Sequence, residues 1–401
     1  MSRCLPLAAA VRFLFGGLLL PLASVHAAQP SAVSTAAQTT KAADEAVTDE
    51  IVVAGLRISS TSQLTASATV LDAATLRAPG AQHFADVMAH VPNLNFAGAS
   101  SRPRYFQVRG IGELDQYEGA PNPSVGFLVD GMDFSGLGMV ATLFDIGQLE
   151  VLRGPQGARY GANALGGLVN VVSRAPSGEG TGEVQATLGT DGTRGAGAVY
   201  DLPTGANSAL RFGVQQQQAN GFRRNTFLDR DDTNGRDELT ARVRWRWALD
   251  DSHQLDLTAL HANLANGYDA FAIDNSRTTL ADKPGQDAQR ATGLSARLLL
   301  PGPGETQWTL AAAQVDSHSV HAYDGDWGNT SSWAPYTYDY VYRADRDRQT
   351  STFEARLASP ALVDDRRFAW LAGVWHSRLR EDIVERSGGT YVDPAYPDVF
   401  T

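Results

Sequence analysis

A strict alternation of apolar and polar residues over 239–247 constrains the fold of this chain more than any other feature. Leu239, Val243 and Trp247 belong to a series of apolar residues at every second position, and three of the four intervening positions are arginines. Successive side chains of a β-strand point to opposite faces, so the segment predicts a strand with one apolar face and one cationic face. A soluble sandwich would bury the apolar face. An outer-membrane barrel turns that face to lipid and leaves the arginines in a wet lumen.

The connections between alternating segments favour the barrel. Short connections rich in Pro, Gly and Asp are predicted at 203–207, 250–251, 301–305 and 360–366, and long ones at 219–235, 265–289 and 322–346. Short turns at one end and long loops at the other are typical of a membrane barrel, whereas a sandwich has no reason to segregate them. The predicted strands are 183–190, 195–202, 208–218, 236–249, 252–264, 290–300, 306–321, 347–359 and 367–382.

The N-terminus has the layout of a secretory signal peptide. Arg3 and Arg12 precede an apolar stretch at 13–22, and small residues follow up to Ala28. We therefore predict that residues 1–27 are removed and that the mature protein begins at Ala28. The alternative is a retained membrane anchor, but the apolar run is short for a helical span of ~20 residues.

Composition excludes several classes of function. The formal net charge of −11 argues against nucleic-acid binding, which needs a basic face. The single cysteine, Cys4, lies in the predicted leader, so no disulfide or thiolate metal site is expected in the mature chain. His318 and His321 are three residues apart and should lie on opposite faces of a strand, which disfavours a shared metal. No nucleophile–base–acid set identifies an enzyme, and no resident cofactor is expected.

The region before the alternating strands predicts a compact α+β domain over residues 56–177. The stretch 82–90 has apolar residues spaced for one buried helical face, and Pro92 should end that helix. A strand is predicted at 67–71. Further short strands are predicted at 105–108, 125–129, 149–152 and 168–172.

Several segments resemble motifs of TonB-dependent outer-membrane receptors, in the order of that family. Residues 145–176 (DIGQLEVLRGPQGARYGANALGGLVNVVSRAP) closely resemble the plug signature, and 106–112 (FQVRGIG) and 127–132 (FLVDGM) resemble two further plug motifs. The run Glu50, Ile51, Val52, Val53 and Ala54 resembles a TonB box.

The resemblance implies an order of segments along the chain. It comprises a signal peptide at 1–27, a flexible linker at 28–49, a TonB box at 50–55, a plug domain at 56–177 and an incomplete β-barrel domain at 178–401. The fold class implied is an α+β plug followed by antiparallel transmembrane strands, as part of a 22-stranded outer-membrane barrel.

The resemblance also assigns roles to plug arginines. Arg109 and Arg153 are the charged members of two plug motifs, and in the family such arginines pair with acidic residues of the inner barrel wall. Glu354 is predicted to face the lumen and is a candidate partner. The alternative for each arginine is an exposed position at a turn.

A ligand site is expected where plug apices meet the long loops. Aromatic residues concentrate between 323 and 342, and Tyr336, Tyr338, Tyr340 and Tyr342 should share one strand face. The alternative is an aromatic girdle at the outer membrane interface. The predicted ligand-binding residues are Arg104, Tyr105, Tyr117, Tyr323, Trp327 and Trp333.

By resemblance the ligand is most simply a ferric siderophore, with cobalamin, haem or an oligosaccharide as alternatives. The expected partners are TonB with ExbB and ExbD on the periplasmic side, outer-membrane lipid, and the ferric chelate. The expected location is the outer membrane of a Gram-negative bacterium.

A 22-stranded barrel needs roughly 220 residues in its strands alone, at ~9–11 residues each. Only 225 residues follow Pro176, and the long loops occupy many of them. We therefore expect that this chain alone cannot close a receptor barrel. The alternatives are a non-transporting fragment that folds only its plug and, more distantly, a soluble exported sandwich.

Overall fold

The computed structural model describes residues 67–77, 81–96, 100–113, 123–160, 162–250, 252–359 and 370–396. These form an N-terminal domain, here called the plug, and a long antiparallel sheet, here called the wall. The predicted signal peptide, linker and TonB box, including Glu50 to Ala54, lie outside the described residues, as does Tyr117.

The plug is built on a five-stranded mixed sheet with strand order β1-β6-β7-β4-β5. Strands β4 and β7 are parallel, and the other neighbours are antiparallel. The strand predicted at 67–71 and the helix predicted at 82–90 are both present. The plug elements are β1 Ser67–Asp72, α1 Ala73–Leu76, α2 Phe84–Val87, a 3-10 turn at Met88–His90, β2 Leu94–Asn95, β3 Gln107–Val108, β4 Val125–Val129, β5 Met132–Asp133, a 3-10 turn at Gly138–Val140, β6 Ile146–Arg153, α3 Gly157–Tyr160 and β7 Gly167–Ser173.

Helix α2 begins at a buried histidine cap. The backbone N–H of Ala85 donates to Nδ1 of His83, and the Asp86 carboxylate accepts from the backbone N–H of His83. The His83 Nε2 lies 3.1 Å from the carbonyl oxygen of Met139, which ties the helix to the second 3-10 turn. Burial, with the nearby charge of Arg102, lowers the pKa of His83 far below its ordinary value. The cap therefore uses a neutral imidazole.

The wall is a nine-stranded sheet with strand order β18-β17-β16-β15-β13-β12-β10-β9-β8. Every neighbouring pair is antiparallel, and all nine predicted wall strands are present. Two short strands, β11 and β14, pair within the long connections. The bounds are β8 Gly182–Leu188, β9 Arg194–Gly205, β10 Ser208–Ala219, β11 Arg224–Asn225, β12 Arg236–Ala248, β13 Gln254–Gly267, β14 Thr278–Thr279, β15 Gln286–Pro301, β16 Gln307–Asp324, β17 Thr337–Ala358 and β18 Leu371–Val392.

The two faces of the wall have the chemistry that the alternation predicted. Arg242 points to the plug and is 5% exposed, whereas its neighbour Val243 points away and is 42% exposed. Leu257, Leu294 and Phe353 are likewise exposed apolar residues on the outer face. The arginine series of β12 therefore lines the inner side of the wall, and the apolar series faces outward.

Several wall strands are longer than the sequence predicted. Strand β17 begins at Thr337 instead of 347, and β18 ends at Val392 instead of 382. The outer face of β16 turns polar at Gln314 and Asp316, and His318 pairs there with Asp347 at 2.9 Å. An 18-residue strand is about 60 Å long at ~3.3 Å per residue, well beyond an apolar band of ~25 Å. The strands thus continue past the apolar band at the long-loop end, where apolar alternation no longer marks them.

The plug packs on the inner side of the wall through an apolar centre. Buried Leu260 and Val315 of the wall belong to the same apolar cluster as Met132 and Phe134 of the plug. Gly293 is required at this contact, because a Cβ there would lie 2.7 Å from the Met132 sulfur. No helix among the described residues is long and apolar enough to cross a membrane.

Candidate functional site

The most deeply buried charge contact between plug and wall joins Arg104 to Asp287. The Arg104 Nη2 donates to Asp287 Oδ1 at 2.6 Å, and the backbone N–H of Ser101 donates to Asp287 Oδ2 at 2.6 Å. Asp287 is completely buried and Arg104 is 7% exposed. The pair therefore ties the plug segment 100–106 to the start of β15. Within the plug, Gly138 lets the second 3-10 turn pack closely against this segment, because a Cβ there would lie 2.7 Å from the Pro103 carbonyl oxygen.

A second pair lies beside it. Arg102 donates through Nε and Nη2 to the two carboxylate oxygens of Glu238, each at 2.9 Å. Asn266 of β13 donates to the same carboxylate and lies 3.0 Å from the Ser101 hydroxyl. A bidentate arginine–carboxylate pair fixes orientation as well as distance. These two pairs, at the long-loop end of the wall, are called the upper tier.

Charges are reversed lower on the wall, where a plug acid meets a wall arginine. Arg211 of β10 donates to Asp145 of the plug through Nη2 at 2.6 Å and through Nε at 3.0 Å. The same guanidinium reaches Asp201 of β9 at 3.3 Å. Asp201 is fully buried and also accepts backbone N–H groups from Ser177 and Gly178, at the exit from the plug.

The cationic face of β12 completes this lower tier. Arg242 donates to the Phe144 carbonyl oxygen at 3.1 Å, and Arg244 donates to the Ser173 carbonyl oxygen at 2.5 Å. Each arginine also lies 3.8 Å from the carboxylate of Asp130. The plug thus contributes arginines to the upper tier and aspartates to the lower tier. Apolar packing between plug and wall lies between the two tiers.

Among the described residues, no hydrogen bond or ion pair joins the wall to Arg109 or Arg153, the two arginines predicted to contact it. Arg153 donates to the Pro92 carbonyl oxygen at 2.9 Å and to the Thr69 hydroxyl at 2.6 Å, both within the plug. Burial and the nearby charge of Arg109 lower the pKa of Arg153. Arg109 is exposed with φ +54°, which matches the alternative of an arginine at a turn. The candidate partner Glu354 pairs with Arg356 of its own strand at 2.9 Å.

The sequence analysis did not predict the residues of the two tiers as plug–wall contacts. It assigned Arg104 to ligand binding and did not single out Asp130 or Asp145. In the structure, Arg104 donates through Nη2 to Asp287. Tyr105 is 4% exposed and lies beneath the surface of the plug apex. Asp130 and Asp145 stand inside or at the edge of two motifs that the family resemblance singled out, so a search for acids in those motifs could have found them.

Above the upper tier, six rings form a group here called the apical aromatic cluster: Tyr268, Phe271, His321, Tyr323, Trp327 and Tyr342. Phe271 and Trp327 stack with ring centroids 5.4 Å apart, and Tyr323 and Tyr342 stack at 5.1 Å. Trp327 is 40% exposed, so one edge of the cluster faces outward. The structure therefore brings together two predicted ligand residues, Tyr323 and Trp327, with four rings that the sequence analysis did not assign to the site.

His321 connects the cluster to the upper tier. Its ring centroid lies 4.8 Å from that of Tyr268, and its Nδ1 lies 3.4 Å from Asp287. His318 pairs with Asp347 on the outer face, so the two histidines do lie on opposite faces. No group of three His, Cys, Asp or Glu side chains within the described ranges is arranged to hold a metal ion.

Trp333 lies in a different aromatic group. Its indole N–H donates to the Asp326 carbonyl oxygen, and its ring meets Tyr338 edge-on at 6.0 Å. Tyr338 and Tyr342 share the inner face of β17, because Tyr342 pairs in register with Tyr323 of the cluster. Their inward direction does not fit an outer aromatic girdle, which must face lipid.

Comparison with known proteins agrees with this architecture. The family model of the TonB-dependent Receptor Plug Domain matches residues 60–168. The pesticin receptor of Yersinia enterocolitica is 28% identical over 257 residues, which cover 63% of this chain and 34% of that protein. The vitamin B12 transporter BtuB of Photobacterium profundum is 26% identical, over 57% of this chain and 38% of its own length. The chain spans about a third of the length of these curated relatives.

Solved structures share the fold at lower identity. The ferric yersiniabactin uptake receptor of Yersinia pestis superposes with a TM-score of 0.68 and 20% identity, over 82% of this chain and 50% of that one. The siderophore receptor PiuA of Acinetobacter baumannii gives a TM-score of 0.63 and 16% identity, over 79% and 46%. The chain therefore contains a plug domain of the TonB-dependent receptor type, and its fold, a plug packed on a nine-stranded wall, is similar to that of solved siderophore receptors.

Proposed function

We propose that the chain serves in TonB-dependent uptake of a ferric siderophore across the outer membrane. The observation that carries the proposal is the position of the apical aromatic cluster, directly above a plug that is held to the wall by ion pairs. A ligand captured at the cluster would rest on the plug, and it could enter only when the plug is rearranged. TonB, energised with ExbB and ExbD, is the proposed source of that rearrangement.

The plug contacts suit a domain that must be remodelled and then restored. Arg104, Asp287, Arg211 and Asp145 are paired when the plug is seated, and each can exchange its partner for water once the tier opens to the lumen. Separating a buried ion pair is costly if either charge stays buried. When both charged groups become hydrated, their hydration offsets much of that cost. The two tiers therefore hold the plug strongly while still allowing release under applied force.

The aromatic cluster supplies a surface for a ferric chelate. Trp327 and Phe271 form a stacked pair with an exposed edge, and Tyr323 adds a phenol to the same group. Aromatic faces attract flat ligand rings with little loss of side-chain entropy. The siderophore assignment also draws on relatives named as ferrioxamine B and ferric enterobactin receptors.

Trp327→Ala is expected to weaken binding of the cognate ferric chelate about tenfold, the loss of one good stacking contact. The matched control is Phe227→Ala, an exposed aromatic of another long connection. The measurement is binding of radiolabelled iron chelates to outer membranes from iron-starved cells. Accumulation of the label that does not depend on the receptor or on the inner-membrane potential would contradict the proposed uptake.

A further inference from the structure

An open cavity lies beside the apical aromatic cluster, and it is lined by an arginine that has two buried nitrogen atoms without a hydrogen-bond partner. The cavity is bounded by Ser100 and Ser101 of the plug, by the connection after β10, and by Tyr268. Arg223 of that connection has its Nε and Nη1 atoms buried without a hydrogen-bond partner. Its guanidinium carbon lies 5.0 Å from the centre of the Phe222 ring. A desolvated guanidinium without an acceptor is costly, and an aromatic face compensates only part of that cost.

A second arginine lines the same cavity. Arg236 begins β12 and shares the inward face of that strand with Glu238. Glu238 is already occupied by the bidentate pair with Arg102, and no hydrogen bond or ion pair of the Arg236 side chain occurs within the described part of the chain. Asp191 is the acid that lines the cavity, and its carboxylate accepts from the Thr190 hydroxyl. Two guanidinium groups and one carboxylate, that of Asp191, therefore line the cavity. Arg236 also interacts electrostatically with Glu238 and Asp86, but it makes no hydrogen bond to either of them among the described residues.

We propose that Arg223 and Arg236 form an oxyanion subsite that binds a carboxylate or phosphate group of the external ligand. Two guanidinium groups offer the donors that match such an oxyanion, and charge-assisted hydrogen bonds of this kind are strong. Tyr268 belongs both to the cavity wall and to the apical aromatic cluster. One ligand can therefore place a ring on the cluster and an anionic group between the arginines.

The inference deepens the proposed function, because it names the charge of the ligand that the external site takes. Its test does not require transport. The full chain, purified in detergent, is titrated with citrate, with inorganic phosphate and with sodium chloride at matched ionic strength. Thermal unfolding and equilibrium dialysis of labelled citrate report binding.

Citrate and phosphate also stabilise proteins without a specific site, so the expected result is a comparison between variants. On changing from chloride to citrate or phosphate, the unfolding temperature of wild type should rise more than that of a variant that lacks one of the two arginines. The comparison of citrate with phosphate shows whether carboxylate or phosphate is preferred. Arg223→Gln and Arg236→Gln should each weaken oxyanion binding about tenfold, because each removes a charge-assisted contact. Arg224→Gln is the matched control, since Arg224 is adjacent, exposed and already paired with Asp229.

Arg223→Met separates a binding role from a structural one. If the Arg223 guanidinium binds an anion, the methionine variant is at least as stable as wild type in chloride. It also lacks the stabilisation by citrate or phosphate that wild type shows beyond the general effect of these salts. The proposal would be overturned if the methionine variant is less stable than wild type in chloride and the unfolding temperature of wild type does not depend on citrate or phosphate beyond that general effect. Failure of uptake in cells would leave this result unchanged, so the inference and the proposed function fail separately.

Discussion

Arg104→Met is expected to loosen the plug from the wall by about 3–5 kcal/mol, the cost of leaving one partner of a buried ion pair uncompensated. Asp287 has no exposed surface, so water cannot replace the lost guanidinium without opening the contact. The Ser101 backbone N–H and His321 are the remaining groups at that carboxylate. The measurement is the denaturant midpoint at which protease begins to cleave the plug.

The paired variant and an exposed pair provide the controls. Arg104→Met combined with Asp287→Asn removes both charges and should recover much of the loss, since replacing both partners of a buried pair costs far less than removing one. Arg380→Met breaks a pair whose side chains are 70% and 65% exposed, so it should change stability by less than ~1 kcal/mol. Equal losses of stability in Arg104→Met and Arg380→Met would contradict the conclusion that the buried Arg104–Asp287 pair holds the plug to the wall.

Val52→Pro is expected to abolish uptake while leaving ligand binding unchanged. The run Ile51, Val52 and Val53 is apolar and β-branched and follows a linker rich in Ala, Ser and Thr, so it can extend and add to a partner's sheet. Proline removes the backbone donor that such pairing needs and fixes its own φ. Binding and energy-dependent accumulation of a ferric chelate are measured separately in cells whose receptor has a complete barrel.

Val52→Ala is the control for a contact made by the backbone, and it should retain most of the uptake. If the run is instead the first strand of the plug, proline lowers ligand binding as well as uptake. Unchanged uptake in the proline variant would rule out the coupling role.

Alternation predicted most of the wall well because the strands before β18 have an apolar outer face and a polar inner face over part of their length. Strand β18 departs from this pattern, since Trp375 lies on the inner face beside Glu354 and His376 on the outer face beside Phe353. Apolar–polar alternation failed to predict the parts of the strands that extend beyond the apolar band at the long-loop end. Strand β17 has Asp345, Asp347 and Gln349 on its outer face, so the rule that identifies a half-apolar strand does not apply there. Only the hydrogen-bond ladder with β16 and β18 shows that the strand continues.

The tiers could not be paired from sequence. Arg104 and Asp287 are 183 residues apart, and Arg211 and Asp145 are 66 apart. The chain contains many arginines and acids, and composition gives their charge but not which of them meet. Arg153 donates to Pro92 and Thr69, which precede it by 61 and 84 residues, so its partners could not be predicted from local sequence either. The aromatic cluster combines rings from two long connections and from strands β16 and β17, so a local count of aromatics found only some of its members.

A reversible cross-link between plug and wall tests the central claim most directly. The Ser101 hydroxyl lies 3.0 Å from Asn266 of β13, and the only cysteine in the chain, Cys4, lies in the predicted leader. Ser101→Cys with Asn266→Cys therefore introduces the two thiols needed to lock the upper tier. The measurement is energy-dependent iron uptake before and after reduction, in cells whose receptor has a complete barrel, with chelate binding followed in parallel. The account predicts normal binding in both states, no uptake when the disulfide is formed, and recovery of uptake on reduction; equal uptake in the oxidised and reduced states would contradict it.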